Sequence, residues 1–258
     1  MMRIKLIIEY DGTGYCGWQA QDNGKSIQET VEQAIFETTG ERLRVTGSGR
    51  TDSGVHALGQ VAHFDTDTTI PADKIAFALN AHLPEDIRIR SSERAEEGFH
   101  ARKSAKIKHY RYLIYNDTQE CAIMRRYCAF VRRRLNVDAM NAAARYIVGK
   151  HDFAAFCAKG STPVATTVRE VYECAVMRDG KYVAIDVKGG GFLYNMVRII
   201  AGTLIDVGTG RIPPERVKEI IQSEDRNNAS ATAPAKGLTM VGVSYVGETS
   251  NTKNVKMY

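Results

Sequence analysis

The sequence contains few of the residues that build metal sites and disulfide frameworks. Its 258 residues include five cysteines, an odd number without a C-x-x-C pair, so neither a zinc site nor a disulfide scaffold is expected. No run approaches the roughly 18 apolar residues of a membrane span, and the N-terminal Met-Met-Arg-Ile-Lys does not resemble a signal peptide. These absences predict a reduced, cytoplasmic protein without a metal ion.

Positive charge is concentrated in one segment. Residues 100–134 hold ten Lys and Arg against two acids, a net charge of +8, whereas the other 25 basic and 28 acidic residues give −3. This concentration indicates a surface that faces a polyanion. A solvated basic loop is the alternative.

The most informative segment is the glycine-rich stretch Thr-Gly-Ser-Gly-Arg-Thr-Asp-Ser-Gly-Val at residues 46–55. It places the carboxylate of Asp52 two residues from Arg50, in a loop where glycines let a ligand approach the backbone. An acid that only caps a turn is the alternative. Asp52 stands where a dinucleotide fingerprint needs glycine, and Val55 and His56 replace the Lys and Ser or Thr of a P-loop. The loop is therefore not expected to bind nucleotide phosphates.

Two halves of the chain follow one plan, strand-helix-strand-strand-helix-strand, which is typical of ferredoxin-like units. Residues 1–104 predict strands at 3–10, 61–64 and 87–90, a helix from the capping box of Ser26 and Glu29 to Gly40, and a helix at 71–83. Residues 105–247 predict strands at 106–115, 170–177, 182–187 and 238–246 and helices at 192–207 and 213–222. They also predict a helix capped by Asn136 and ended by Gly149, with these residues inside: Met140, Ala143, Ala144, Ile147 and Val148.

The predicted fold class is therefore α+β, with two ferredoxin-like (RRM-like) half-domains and largely antiparallel sheets. The sheets are expected to join or to face each other across a central cleft. Residues 248–258 are expected to form a loose polar tail.

Five motifs occur in order along nearly the whole chain. They read Y-D-G-T-x-Y-x-G-W-Q at 10–19, G-R-T-D-S-G-V-H-A at 49–57, F-H-A-R at 99–102 with Y-R-Y at 110–112, G-F-L-Y-N-M-V-R at 191–198, and T-A-P-A-x-G-L at 232–238. Together they resemble the tRNA pseudouridine synthase A (TruA) family, and the second motif is highly specific.

The resemblance implies a pseudouridine-synthase fold with a central RNA-binding cleft. It implies isomerisation of uridine to pseudouridine in the anticodon stem-loop of tRNA, typically at positions 38, 39 and 40, by a homodimer without cofactor or metal. By the same resemblance, Asp52 is the essential aspartate, Tyr110 stacks on the target base, Arg198 pairs with the aspartate and Arg50 replaces the everted nucleotide. Ser53 stands where alanine is commoner, and both residues are small.

The residue types suit this chemistry, although alternatives remain open. An ionised carboxylate can add to the sugar or the base, or take the C2′ proton, and the sequence does not choose among these routes. Tyr110 offers an aromatic face to a flipped base, but alternating aromatics are usually sheet core. Helical spacing is compatible with a site-facing or a water-facing Arg198.

The remaining polar and aromatic candidates have other expected roles. His56, His63 and His100 match no zinc motif and are expected to be structural or to contact RNA. Trp18 is expected in the core or at a dimer contact. Phosphate contacts are predicted for Arg102, Lys103, Lys106, Lys108, Arg132, Arg133 and Arg134. A non-catalytic RNA-binding protein is the alternative function, but it leaves the negative charge of Asp52 unexplained.

Overall fold

The computed structural model describes residues 1–21, 24–160 and 164–246. In chain order, its strands and α-helices are β1 (Met2–Tyr10), α1 (Ile27–Thr39), β2 (Thr46–Gly47), β3 (His56–Thr66), α2 (Ile75–Asn80), β4 (Ile87–Arg94), β5 (Ile107–Asn116), β6 (Ala129–Val131), α3 (Val137–Ile147), β7 (Gly149–Asp152), β8 (Val168–Asp179), β9 (Tyr182–Gly189), α4 (Met196–Gly208), α5 (Arg216–Ser223) and β10 (Leu238–Ser244). The mixed composition and mostly antiparallel strand pairing confirm the predicted α+β class.

The chain separates into two compact units. The first contains residues 1–106 together with the chain from residue 239 onward, and the second contains residues 107–238. The halves predicted from the sequence instead put residues 105–247 together, so the two groupings differ in where they put β10. The division into two ferredoxin-like half-domains stays a prediction, and the predicted tail at 248–258 lies outside the described residues.

In the first unit, β1 lies between β4 and β3 and is antiparallel to both. The other edge of β3 pairs with the short antiparallel β2 and, in parallel, with β10 through Thr239 opposite His56. Helix α1 begins at the predicted capping box, because Ser26 accepts from the Glu29 N–H and the Glu29 carboxylate accepts from the Ser26 N–H. It ends at Gly40 in the left-handed conformation.

The second unit contains the antiparallel strand order β5-β9-β8-β7, with β6 parallel to β5. Helix α3 begins after Asn136, whose side chain accepts from the Ala139 N–H as the sequence predicts. Met140, Ala143 and other apolar residues of α3 are buried.

Several predicted bounds were wrong for identifiable reasons. Helix α4 begins at Met196 rather than at residue 192, because Asn195 adopts the left-handed conformation that interrupts a helix. Helix α2 ends at Asn80 rather than at the predicted residue 83. The Asn80 side chain exchanges two hydrogen bonds with the Ile89 backbone in β4. Val148 was predicted to be inside, but it follows the end of α3 and is 39% exposed.

Among the residues that the structure describes, no helix is both long and apolar enough to cross a membrane. The cytoplasmic location expected from the sequence stays a prediction.

Candidate active-site residues and family membership

Residues 48–55, which we call the Asp52 loop, join β2 to β3, and the start of the loop is fixed by a buried glutamine. Ser48 donates its N–H to the carbonyl of Val61 at 2.7 Å and its hydroxyl to Gln60 Oε1 at 2.5 Å. Gln60 Nε2 donates to the carbonyl of Gly49 at 2.8 Å. Because Ser48 and Gln60 are fully buried, these bonds hold the loop to β3 without competition from water.

The centre of the loop is held from the other side by the first motif. The hydroxyls of Tyr10 and Thr51 are hydrogen-bonded at 2.8 Å. The backbone N–H of Trp18 donates to the carbonyl of Thr51 at 3.1 Å. Val55 donates its N–H to the Asp52 carbonyl, which closes a turn. Burial raises the pKa of the Tyr10 hydroxyl above its usual range.

Two glycines of the same motif allow the backbone to approach this closely. Gly17 has a φ of +108°, and a Cβ placed on it would lie 2.5 Å from the carbonyl oxygen of Thr51. A Cβ on Gly12 would overlap the carbonyl oxygen of Val55. The glycines at 12 and 17 are therefore the reason that β1 and the following turn can support the Asp52 loop.

Within this support the Asp52 side chain is partly exposed, whereas Thr51 before it is buried. The Arg50 side chain is exposed, and its Nε donates to Gln19 Oε1 at 3.2 Å. The loop thus presents one carboxylate and one oriented guanidinium from a rigid frame. The carboxylate of Asp52 is suited to acid–base or nucleophilic chemistry on a ligand that reaches the surface.

Two histidines and the tryptophan of the first unit are buried. The Gly12 N–H donates to His56 Nδ1 at 3.1 Å, and the Ala101 N–H donates to His63 Nδ1 at 3.2 Å. Both rings are buried, and burial, with the nearby charges of Arg3 and His100, lowers the pKa of His63. These bonds are structural. The core prediction for Trp18 is confirmed, because the residue is 2% exposed.

No metal centre is found in the part of the chain that the structure describes, where no three His, Cys, Asp or Glu side chains gather closely enough to hold an ion. The expectation of a metal-free protein stays a prediction.

In the second unit, Tyr110 lies on β5 opposite Val187 of β9. Its ring meets the ring of Phe192 edge-on, with centroids 5.3 Å apart and planes at 88°. Tyr110 is 7% exposed, the burial that a core aromatic would show. Its stacking on a base stays a prediction.

Arg198 lies in the first turn of α4 and has a defined orientation. Its Nε donates to the carbonyl of Ala233 at 2.8 Å, and its Nη1 donates to Asn195 Oδ1 at 2.7 Å. The Ala233 N–H donates back to the Arg198 carbonyl at 3.1 Å. The side chain is therefore partly buried and held at two nitrogens, and whether it faces a site or water stays a prediction.

A largely buried charged cluster on β5 and β9 was not predicted from the sequence. Asp186 Oδ1 accepts from Arg111 Nε at 3.0 Å and lies 2.6 Å from His109 Nε2, and Arg111 Nη2 donates to Asp186 Oδ2 at 3.0 Å. Burial alone would raise the pKa of Asp186, but the His109 and Arg111 hydrogen bonds hold it below the usual range. Charged residues at alternate positions of a buried strand were the available signal.

The predicted phosphate-binding residues are mostly exposed. In the first unit these are Arg102, Lys103 and Lys106, and in the second they are Arg132, Arg133 and Arg134. Lys108, at the start of β5, is partly exposed. Exposure is what contact with a phosphate backbone requires, and the contact itself stays a prediction.

Comparison with known proteins gives one consistent result. The family model described as tRNA pseudouridine synthase matches residues 6–102 and 143–246. Proteins named tRNA pseudouridine synthase A match 95% of this chain and the whole of the relative. They come from Ruminiclostridium cellulolyticum at 53% identity, Acetivibrio thermocellus at 49% and a Thermoanaerobacter species at 45%.

These matches define an enzyme class, the pseudouridine synthases, which are isomerases. The chain belongs to the tRNA pseudouridine synthase family. The family resemblance stated from the five motifs is thereby confirmed.

Proposed function

We propose that this chain isomerises uridine to pseudouridine in the anticodon stem-loop of tRNA, at positions 38, 39 and 40, with Asp52 as the catalytic carboxylate. Family membership supports pseudouridine synthesis in tRNA. The observation that carries the assignment of Asp52 is its setting. It is a partly exposed carboxylate in a loop that buried hydrogen bonds anchor on both sides. A preorganised acid is what catalysis at a sugar requires.

The reaction detaches uracil from C1′ through its N1 atom, turns the base and rejoins it through C5, whose proton is then lost. The carboxylate of Asp52 has three possible parts in these steps. It can add to the sugar, add to the base, or take the C2′ proton while the base is detached. Each requires its ionised form.

We also propose supporting roles for three residues. Tyr110 stacks on the everted uracil, which offsets part of the few kcal/mol that eversion costs. Arg198, already oriented by Ala233 and Asn195, supplies a positive charge that favours the ionised carboxylate. Arg50 occupies the space that the everted nucleotide leaves.

The catalytic assignment is tested by Asp52→Asn, which keeps the shape of the side chain and removes its charge. Isomerisation is followed by release of tritium from C5-tritiated uridine in unmodified tRNA, and tRNA affinity is measured separately. We expect a rate loss of at least about 10²–10⁴-fold with affinity retained. The control is Asp73→Asn, an exposed aspartate of the same unit. Wild-type turnover in Asp52→Asn would refute the assignment.

The substrate positions are tested with tRNA transcripts in which uridine at 38, 39 or 40 is replaced singly by cytidine. Each replacement should remove the product at that position only. If a transcript with all three positions replaced gave as much total pseudouridine as the unreplaced tRNA, the reaction would take place elsewhere in the tRNA.

A homodimer is also proposed, and light scattering should give twice the chain mass of 28.6 kDa. A single-chain mass at assay concentrations would contradict the dimer without affecting the catalytic proposal.

A further inference from the structure

A row of hydrogen-bonded side chains in the first unit runs from α1 to Arg50. Gln19 accepts from Arg50 Nε through its Oε1 at 3.2 Å, and its Nε2 donates to Gln28 Oε1 at 2.8 Å. Gln28 Nε2 in turn donates to Glu32 Oε1 at 2.7 Å and to the carbonyl of Val45 at 3.2 Å. Gln28 is 3% exposed, so the row begins in the interior and ends at the surface.

Two backbone groups determine the direction of this row. The Ala20 N–H can only donate, and it donates to Gln28 Oε1 at 3.1 Å. The Val45 carbonyl can only accept, and it faces Gln28 Nε2. Rotating the Gln28 amide by 180° would set donor against donor and acceptor against acceptor. Its orientation is therefore dictated by the backbone.

The orientation of Gln28 then dictates that of Gln19. Gln28 presents an oxygen, so Gln19 must offer its NH₂ group there and turn its own oxygen toward Arg50. A guanidinium has only donors, so the outer end of the row is complementary to it. The exposed Arg50 side chain is thus oriented by groups whose polarity is set in the interior.

We propose that Gln19, oriented by Gln28, is a positioning residue that presets the Arg50 guanidinium for binding tRNA. The inference rests on the proposed function, in which Arg50 contacts the RNA. A long exposed side chain normally loses rotamer freedom on binding, and a preset one loses less. Ordering one such side chain corresponds to about a 2- to 12-fold change in tRNA affinity.

A double-mutant cycle on the full chain tests whether Gln19 acts through Arg50. The dissociation constant for unmodified tRNA is measured for wild type, Gln19→Met, Arg50→Ala and the double variant. Methionine has a similar volume and cannot make either bond. We expect Gln19→Met to weaken binding about 2- to 12-fold in the wild-type background and by less than about twofold in the Arg50→Ala background. The matched control is Gln21→Met, because Gln21 lies in the same loop and bonds only the Cys16 carbonyl among the residues that the structure describes.

Three results would overturn the inference. They are an equal loss in both backgrounds, no loss in either, and a loss in Gln19→Met when Arg50→Ala binds like wild type. A second readout needs no RNA. Hydrogen exchange at Arg50 Nε, measured by NMR, should be several-fold faster in Gln19→Met than in wild type, and unchanged exchange would also overturn it. If wild type neither binds nor isomerises tRNA, the proposed function fails, and the exchange measurement alone decides the positioning role.

Discussion

Four glycines of the first unit separate the two costs of adding a methyl group, a strained backbone and a steric overlap with the Asp52 loop. A Cβ at Gly12 would overlap the Val55 carbonyl, but the φ of Gly12 is not positive. Gly40 has the opposite combination, with a φ of +77° and no atom within 4 Å of the added Cβ. Gly17 has both costs, and the exposed Gly14 has neither. Replacing each by alanine gives a complete two-by-two comparison.

The expected losses in unfolding free energy follow from these two terms. The left-handed backbone costs a non-glycine residue about 1–2 kcal/mol, which is the whole effect expected for Gly40→Ala. Overpacking against a backbone oxygen costs about 1–3 kcal/mol, which is the expectation for Gly12→Ala. Gly17→Ala should then lose about 2–5 kcal/mol, and Gly14→Ala should stay within about 0.5 kcal/mol of wild type.

Urea unfolding followed by tryptophan fluorescence measures these losses. Trp18 is the single tryptophan of the chain and is buried in the first unit, so its signal reports that unit. The isomerisation rate is a second readout. Gly12→Ala and Gly17→Ala push against backbone within three residues of Asp52, so both should slow turnover. Gly40→Ala should not, because Gly40 ends α1 and a Cβ added there meets no atom of the loop.

Two outcomes would refute this reasoning. If Gly12→Ala were as stable as Gly14→Ala, the close approach of the turn after β1 to the loop would carry no energetic cost. If Gly40→Ala slowed turnover as much as Gly17→Ala at equal folded fraction, the contact with the loop would not be the cause.

Three further predictions concern the second unit. Asp186→Asn should lower the unfolding free energy by about 3 kcal/mol at pH 7, because the buried His109 and the partly buried Arg111 lose the anion that they bond. The folded-state pKa of Asp186 lies below the ordinary 3.8, so the stability that its ionisation adds is full above pH 3.8 and is lost as the pH falls through the folded-state pKa. Equal urea midpoints for wild type and Asp186→Asn at pH 7 would contradict the expected loss. A Cβ on Gly202 would overlap the Ala231 carbonyl, so Gly202→Ala should shift the segment that bonds Arg198 and reduce turnover; unchanged turnover would contradict it. Neutralising arginines 132–134 should flatten the salt dependence of tRNA binding by about 0.7–0.9 in log–log slope for each phosphate that the variant no longer neutralises, and an unchanged slope would place these arginines away from the RNA.

Local signals predicted the elements whose ends are set by nearby residues. Helix α1 has a capping box at one end and glycine at the other, and both act within one turn. Helix α4 was predicted to begin at residue 192, four residues too early, because Phe192 and Leu193 are apolar like the residues inside the helix. Asparagine tolerates the left-handed conformation better than most residues, but the residue type alone does not show that Asn195 adopts it.

Contacts distant in sequence set the features that were missed. Strand β2 has only two residues, and its pairing with β3 makes it a strand. The cluster around Asp186 joins residues more than 70 positions apart, so periodicity along one strand could not reveal its partner. The sequence singled out Asp52 among the candidate site residues. It did not single out Gln60, which anchors the Asp52 loop, or Gln28, which orients Gln19, because both look like ordinary polar residues.

The way in which the Asp52 loop is built makes its central residue a clean test of chemistry. In the turn at the centre of the loop, Asp52 accepts the Val55 N–H through its backbone carbonyl, which an Asn at this position retains. The hydroxyls of Ser48 and Thr51 are among the other groups that anchor the loop, and the substitution leaves them in place. Asp52→Asn keeps these bonds and the shape of the side chain while removing its charge. A loss of turnover in that variant, with the Trp18 unfolding transition unchanged, would then report the carboxylate and not the fold.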